Sequence, residues 1–236
     1  MPERPYTLLS CGVSIDGYLD RGTGERLVLS NEADLDRVDD VRAGCDAILV
    51  GAATVRLDNP RLLVRKPARV RRRLAQGLDR SPVKVTVTRS ADLDPCASFF
   101  TAGEGEKLVY CAGETVGEAR RRLAHVATVV DAGEPVCMGR LSEDLAARGV
   151  RRLMVEGGGT VHTQFLTADL ADELQLVVAP FFVGDSRASR FVGDGRFPFN
   201  PGRRAELAEV RPIGDVVLLR YALSARYCAD LAEASA

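Results

Sequence analysis

The chain has 236 residues, 46% of them apolar and 28% charged, with 32 basic side chains against 33 acidic ones and a formal net charge of −1. A balance this close to neutral excludes a dedicated nucleic-acid or membrane-surface binder, since both need a sustained positive field. The apolar runs at 47–50, 174–183 and 216–219 fall far short of the roughly 20 residues that span a bilayer. The opening residues carry Arg4 but no apolar core of signal-peptide length, so a cytoplasmic protein is expected.

Taken in chain order, strand-like and helix-like segments alternate, the signature of an α/β sheet with helices packed on its faces. A first strand is predicted at 6–11, then a helix over 31–43 with Ser30 as its N-cap, then a buried strand at 47–50. Strands follow at 83–88, 108–111, 127–130 and 152–155, and helices at 116–125 and 141–148, the second ended by Gly149. A strand, glycine turn and helix are expected through 155–166. Long strands at 173–182 and 216–223 flank a Gly/Pro/Arg-rich loop over 184–204, and the apolar run 174–183 is a candidate edge or interface strand. One domain is the simplest account: no repeat or composition shift marks a linker.

Four motifs carry the chemistry. Gly157, Gly158 and Gly159 between a strand and a helix let a backbone approach an anion, and the helix N-terminus behind them offers N–H groups and a positive dipole end. Gly157 and Gly159 begin a G-x-G-x-x-G pattern, but His162 occupies its last position. Glu156 precedes the glycines at a strand end, where a carboxylate can accept hydrogen bonds from a polar ring. The stretch 47–60 runs from a buried strand through small residues to Asp58-Asn59-Pro60, read from spacing as a turn. Ser14-Ile15-Asp16-Gly17 is a second polar turn. Residues 65–73 hold six basic side chains and read as a solvated basic face. The six cysteines show no C-x-x-C spacing and the histidines number two, so free buried thiols and no metal site are expected.

The segments SIDG, AILVGAATVRLDNPRLLVR, LMVEGGGTVHTQFL and ELQLVVAPFFVG, in this order and spacing, resemble the pyrimidine reductases of riboflavin biosynthesis, over about residues 5–221. The resemblance implies a single dihydrofolate-reductase-like α/β domain. It would have a mostly parallel central sheet, helices on both faces and an antiparallel C-terminal strand pair. The H-x-E and P-C-x-x-C signatures of the deaminase often fused to this reductase are absent, so a stand-alone reductase is expected.

By the same resemblance the enzyme would be a homodimer and would transfer hydride from NADPH to C1′ of a 5-phosphoribosylaminopyrimidine. Cofactor contacts would fall on Val13, Val28, Thr54, Asp58, Gly158, Gly159, Thr160, Val161, His162, Thr163 and Gln164. Substrate contacts would fall on Arg26, Arg42, Leu62, Arg65 and Glu156, with Asp58 and Glu156 the catalytic candidates. Arg42 and Arg65 can grip a phosphate as forks. The amino pyrimidine, its deaminated form and a specialised-metabolite analogue all stay open as substrates. So do a pteridine- or dihydrofolate-type reductase and a non-catalytic NADP-binding module.

Overall fold

The computed structural model describes residues 3–23 and 27–227. In chain order the elements are β1 (Tyr6–Ser14), α1 (Glu32–Ala43), β2 (Ala47–Gly51), α2 (Ala52–Asp58), α3 (Pro67–Ala75), β3 (Val83–Thr88), α4 (Ser98–Thr101), β4 (Lys107–Cys111), α5 (Val116–Leu123), β5 (Thr128–Asp131), α6 (Met138–Ala147), β6 (Arg152–Gly157), α7 (Gly159–Thr167), β7 (Glu173–Ala179), β8 (Glu206–Ile213) and β9 (Val216–Ala222). The class is α/β, with parallel strand pairs and an antiparallel C-terminal group. Two compact units form. The first is Asp36–Met154 with residues 3–5, and the second is Tyr6–Leu35 with residues 155–227.

In the first unit β5, β4, β3 and β2 lie side by side, all parallel. Every residue of β2, AILVG, is buried, as a strand covered on both faces requires. Asp46, just before β2, accepts the N–H groups of Arg151 and Arg152, both at 2.9 Å, and so sets the start of β6. Gly149 adopts φ +89 behind α6, and its N–H meets the Ala146 carbonyl at 2.9 Å, so the predicted glycine stop is in place.

The first unit also corrects two expectations. The basic run 65–73 is a solvated face only in part: Arg65, Lys66, Arg71 and Arg72 are exposed, but Arg65, Lys66, Arg69 and Arg72 are also paired with aspartates. Arg69 bonds Asp36 at 2.6 Å, Asp39 at 3.1 Å and Asp40 at 3.1 Å, Lys66 bonds Asp36 at 2.7 Å, and Arg73 is buried. The charges face α1 because its sequence puts aspartates at 36, 39 and 40, on neighbouring helical positions. Cys96 and Cys137 are exposed, while Cys45 and Cys111 are buried as expected; all are free thiols. Cys228 lies outside the described residues.

In the second unit the order is β1, β7, β9, β8, with β1 and β7 parallel and the rest antiparallel. The strand expected at an edge or an interface, β7, is no edge: it is paired on both sides. The outermost strand, β8, which pairs with β9, was not foreseen. Its sequence ELAEVRPI is mostly exposed, is irregular between Leu207 and Glu209, and carries Pro212, all features that blunt an edge strand. The cap of α1 is also one residue from its expected place. Asn31 Oδ1 accepts the Asp34 N–H at 3.0 Å, whereas the Ser30 hydroxyl donates to the Asp34 carboxylate. Asn31 Nδ2 donates to the Ile213 carbonyl at 2.6 Å and to Asp215 Oδ1 at 2.7 Å, which ties the helix start to the β8–β9 turn.

Candidate functional site

The second unit contains the glycine turn. β6 ends in Gly157 at φ +150, and Gly158 follows at φ +66 as the N-cap of α7, so both positions favour glycine. No side chain caps α7. Val161 and His162 turn their N–H groups back to the Gly158 carbonyl at 3.0 and 3.1 Å, and the first-turn donors of the helix face outward at its positive end. Gly159 serves a different purpose: a β-carbon there would overlap the main-chain carbonyl oxygen of Arg190.

Residues 187–193 form a strap across this helix start. The Gly193 N–H meets Thr163 Oγ1 at 2.8 Å, the Phe191 ring packs on His162 with centroids 5.3 Å apart, and Arg190 Nη2 donates to the Tyr18 hydroxyl at 3.0 Å. The SIDG turn anchors the base of the same region. The carboxylate of Asp16 accepts the Ser14 hydroxyl at 2.5 Å and the N–H groups of Val183 and Gly184 at 3.1 and 2.8 Å. Desolvation opposes its ionisation, but these hydrogen bonds outweigh that effect and bring its pKa down to about 2. The motif thus acts as a clasp.

Each expected contact in this unit has a definite place. Glu156 is half-buried at the end of β6, Val13 is buried on β1, and Val28 is exposed. Thr160 is exposed, Thr163 and Gln164 are half-buried, and the side chains of Val161 and His162 are buried. The His162 ring is fully buried with neither nitrogen hydrogen-bonded, and desolvation lowers its pKa to about 4. Arg26 lies outside the described residues. A hollow of about 410 Å³ lined by Phe199, Arg203, Arg204 and Tyr221 also belongs to this unit, and no sequence-predicted contact lines it.

In the first unit the expected contacts gather around residues 54–66. The small-residue stretch after β2 is the helix α2, which carries Thr54 and Asp58 four residues apart on one face. Asp58 is exposed at its last turn, and Asn59 ends the helix in the left-handed region at φ 43 while its Oδ1 accepts the Ser98 N–H at 2.6 Å. Leu62 is buried yet adopts φ +49, an uncommon conformation for a bulky side chain. The next residues are each held by a side chain. Arg42 donates to the Leu63 carbonyl at 3.4 Å, the Val64 N–H meets Ser81 Oγ at 3.0 Å, and the Arg65 N–H meets Asp39 Oδ1 at 2.7 Å. Arg42, Leu62 and Arg65, expected together, converge on one segment. Asp39, Ser81 and the strap were not foreseen: a lone Asp inside a helix and a serine in a turn carry no signal until their tertiary partners are known.

Comparison with known proteins identifies the family. Residues 5–219 match the family described as the RibD C-terminal domain. The chain is 33% identical over 225 residues to the 2,5-diamino-6-ribosylamino-4(3H)-pyrimidinone 5′-phosphate reductase of Archaeoglobus fulgidus, covering 95% of this chain and 99% of that protein. It is 34% identical to the protein of the same name from Methanothermobacter thermautotrophicus, with coverage of 92% and 98%. A pyrimidine reductase-like protein from Corynebacterium diphtheriae has the same fold, with a TM-score of 0.77 at 22% identity over 92% of this chain and 91% of that one. Sequence blocks, strand order and full-length relatives converge on one assignment, and the chain belongs to the RibD C-terminal domain family.

Proposed function

We propose that this protein reduces 2,5-diamino-6-ribosylamino-4(3H)-pyrimidinone 5′-phosphate, with NADPH as the hydride donor. The observation that carries this reading is the 33% and 34% identity, over nearly the whole of each chain, to two archaeal reductases that bear that substrate in their names. Support for the cofactor comes from α7, whose uncapped N-terminus behind Gly158 suits a phosphate group. Bound there, NADPH supplies a hydride equivalent.

The residues divide the work. Main-chain N–H groups at Gly158, Gly159 and Thr160 hold phosphate, with Val161, His162, Thr163 and Gln164 continuing the cofactor surface. Val13, Val28, Thr54 and Asp58 contact the rest of the cofactor. Arg42 and Arg65 fork onto the substrate 5′-phosphate, Arg26 and Leu62 contact the substrate, and Glu156 accepts from the amino edge of the pyrimidine. The ribose ring opens as its C1′–oxygen bond breaks, leaving an imine between C1′ and the amino nitrogen. Hydride then adds to C1′, and the electron pair of the double bond passes to nitrogen, which takes a proton. Asp58 relays the proton that leaves nitrogen for the ring oxygen as the ring opens, and the proton that nitrogen takes after hydride addition comes from water. The same reading makes the protein a cytoplasmic homodimer.

The test is NADPH oxidation with the diamino substrate and its deaminated counterpart offered separately. Preference for the diamino form supports the proposal, and preference for the deaminated form moves the enzyme one step later. Turnover of folates in place of both would reassign it to a dihydrofolate-type reductase.

A further inference from the structure

With Asp34, which meets the Ser30 hydroxyl, Asp39 is one of two buried aspartates in α1. Its side chain is 1% exposed, and burying a carboxylate is costly unless donors surround it. The donors are the Arg65 N–H at 2.7 Å, the Lys66 N–H at 3.2 Å, Arg69 Nη1 at 3.1 Å and Arg65 Nε at 3.5 Å. Three of these four come from two consecutive residues, so the carboxylate acts on the main chain at one point. Desolvation opposes its ionisation, but the N–H groups of Arg65 and Lys66 outweigh that effect and hold its pKa below the usual carboxylate range.

That point ends a strained segment. Leu62 at φ +49 is stable only if its surroundings over-determine it, and residues 63, 64 and 65 each have a dedicated side-chain partner in Arg42, Ser81 and Asp39. At the far end, Asn59 is fixed by the Ser98 N–H. Arg65 nevertheless keeps 57% of its side chain exposed. A surface loop with no ligand does not need so many anchors around an outward arginine.

We propose that Asp39 is a positioning residue: by holding the main chain at 65 and 66 together with Arg65 Nε, it presets the Arg65 guanidinium for the phosphate end of the substrate. This inference rests on the substrate reading above. It assigns Asp39 no contact with substrate or cofactor.

The experiment compares the phosphorylated diamino substrate with its dephosphorylated riboside in the wild type, Asp39→Asn, Arg65→Ala and the double variant, with NADPH affinity as a check on folding. We expect Asp39→Asn to raise KM for the phosphorylated substrate about 10-fold or more, with kcat and the riboside KM within about twofold of wild type. The double variant should be no worse than Arg65→Ala alone, because the two residues act through one contact. Equal losses on both substrates would reduce Asp39 to a structural role, and an unchanged KM would also overturn the proposal. Should Asp39→Asn fail to fold, Ser81→Ala, which removes only the Val64 anchor, must show a smaller rise confined to the phosphorylated substrate; no such rise overturns the proposal. If Arg65→Ala leaves the preference for phosphate unchanged, the substrate reading itself fails, whatever Asp39 does.

Discussion

The main-chain oxygen of Arg190 stands where a β-carbon on Gly159 would be. Adding a methyl group therefore drives the strap away from the start of α7, and overpacking of this kind costs about 1–3 kcal/mol. Gly159→Ala should lower the melting midpoint by about 2–10 °C in a chain of this size and weaken NADPH binding as well. Thermal melts with and without NADPH check it. A variant with the wild-type midpoint would show that the strap yields freely.

His162 makes stability depend on acidity. The unfolded chain takes up the imidazole proton near the ordinary value of 6.5, whereas burial holds the folded group near 4. Between these values the unfolded state binds more protons, so the contribution is fully present above 6.5 and is lost as pH falls toward 4. Replacing His162 by Leu should narrow the difference in unfolding free energy between neutral pH and about pH 4.5 by about 2 kcal/mol. Urea titrations at the two pH values measure this, and an undiminished difference would mean that other groups cause the acid loss.

Arg73 anchors the first unit from inside. Its Nε donates to the Asp79 carbonyl at 2.8 Å and its Nη1 to the carbonyls of Ala43 and Cys45 at 3.0 and 2.7 Å. Arg73→Leu strands three acceptors and should cost about 3–5 kcal/mol in urea unfolding. Arg73→Lys should recover only part of that, since one ammonium cannot reproduce a planar fork. Full recovery by lysine would refute the geometric argument.

Asp58 stands at the end of α2, exposed and four residues beyond Thr54. If it moves a proton, Asp58→Asn should lower kcat by roughly 10²-fold or more. NADPH affinity should stay within about twofold, because the amide keeps the shape and a hydrogen-bond acceptor. Steady-state kinetics with fluorescence titration of NADPH separates the two; an unchanged kcat removes Asp58 from the chemistry.

Elements that bury apolar residues were legible in the sequence, and those whose reason is tertiary were not. The limits of β3 fall where alternation and β-branched residues place them, and Gly149 stops α6 as its type implies. β8 escaped because an edge strand is protected by the charge and proline that also make it read as loop. α2 escaped because the small residues after β2 carry no apolar period of their own, and Val55 marks a helix only once it is seen packed inside. Ser30 and Asn31 are both good N-cap residues, and only the bond to Ile213 distinguishes them. At the candidate site the glycine turn and Arg65 stood out, but Asp39 did not, since nothing in EADLDRVDD marks Asp34 and Asp39 as the buried aspartates.

β1 pairs in parallel with β7, and Thr7 bonds Asp172 across a sequence separation of 165 residues. Everything between Asp36 and Met154 is made in that interval and forms a unit of its own. During synthesis the apolar segment Tyr6–Ser14 therefore waits, with its β7 partner missing, until Glu173–Ala179 has left the ribosome. Closing so long a loop is slow, and unpaired apolar strands aggregate while they wait. Slow or chaperone-assisted maturation of the second unit is the cost of building it from two distant stretches of one chain.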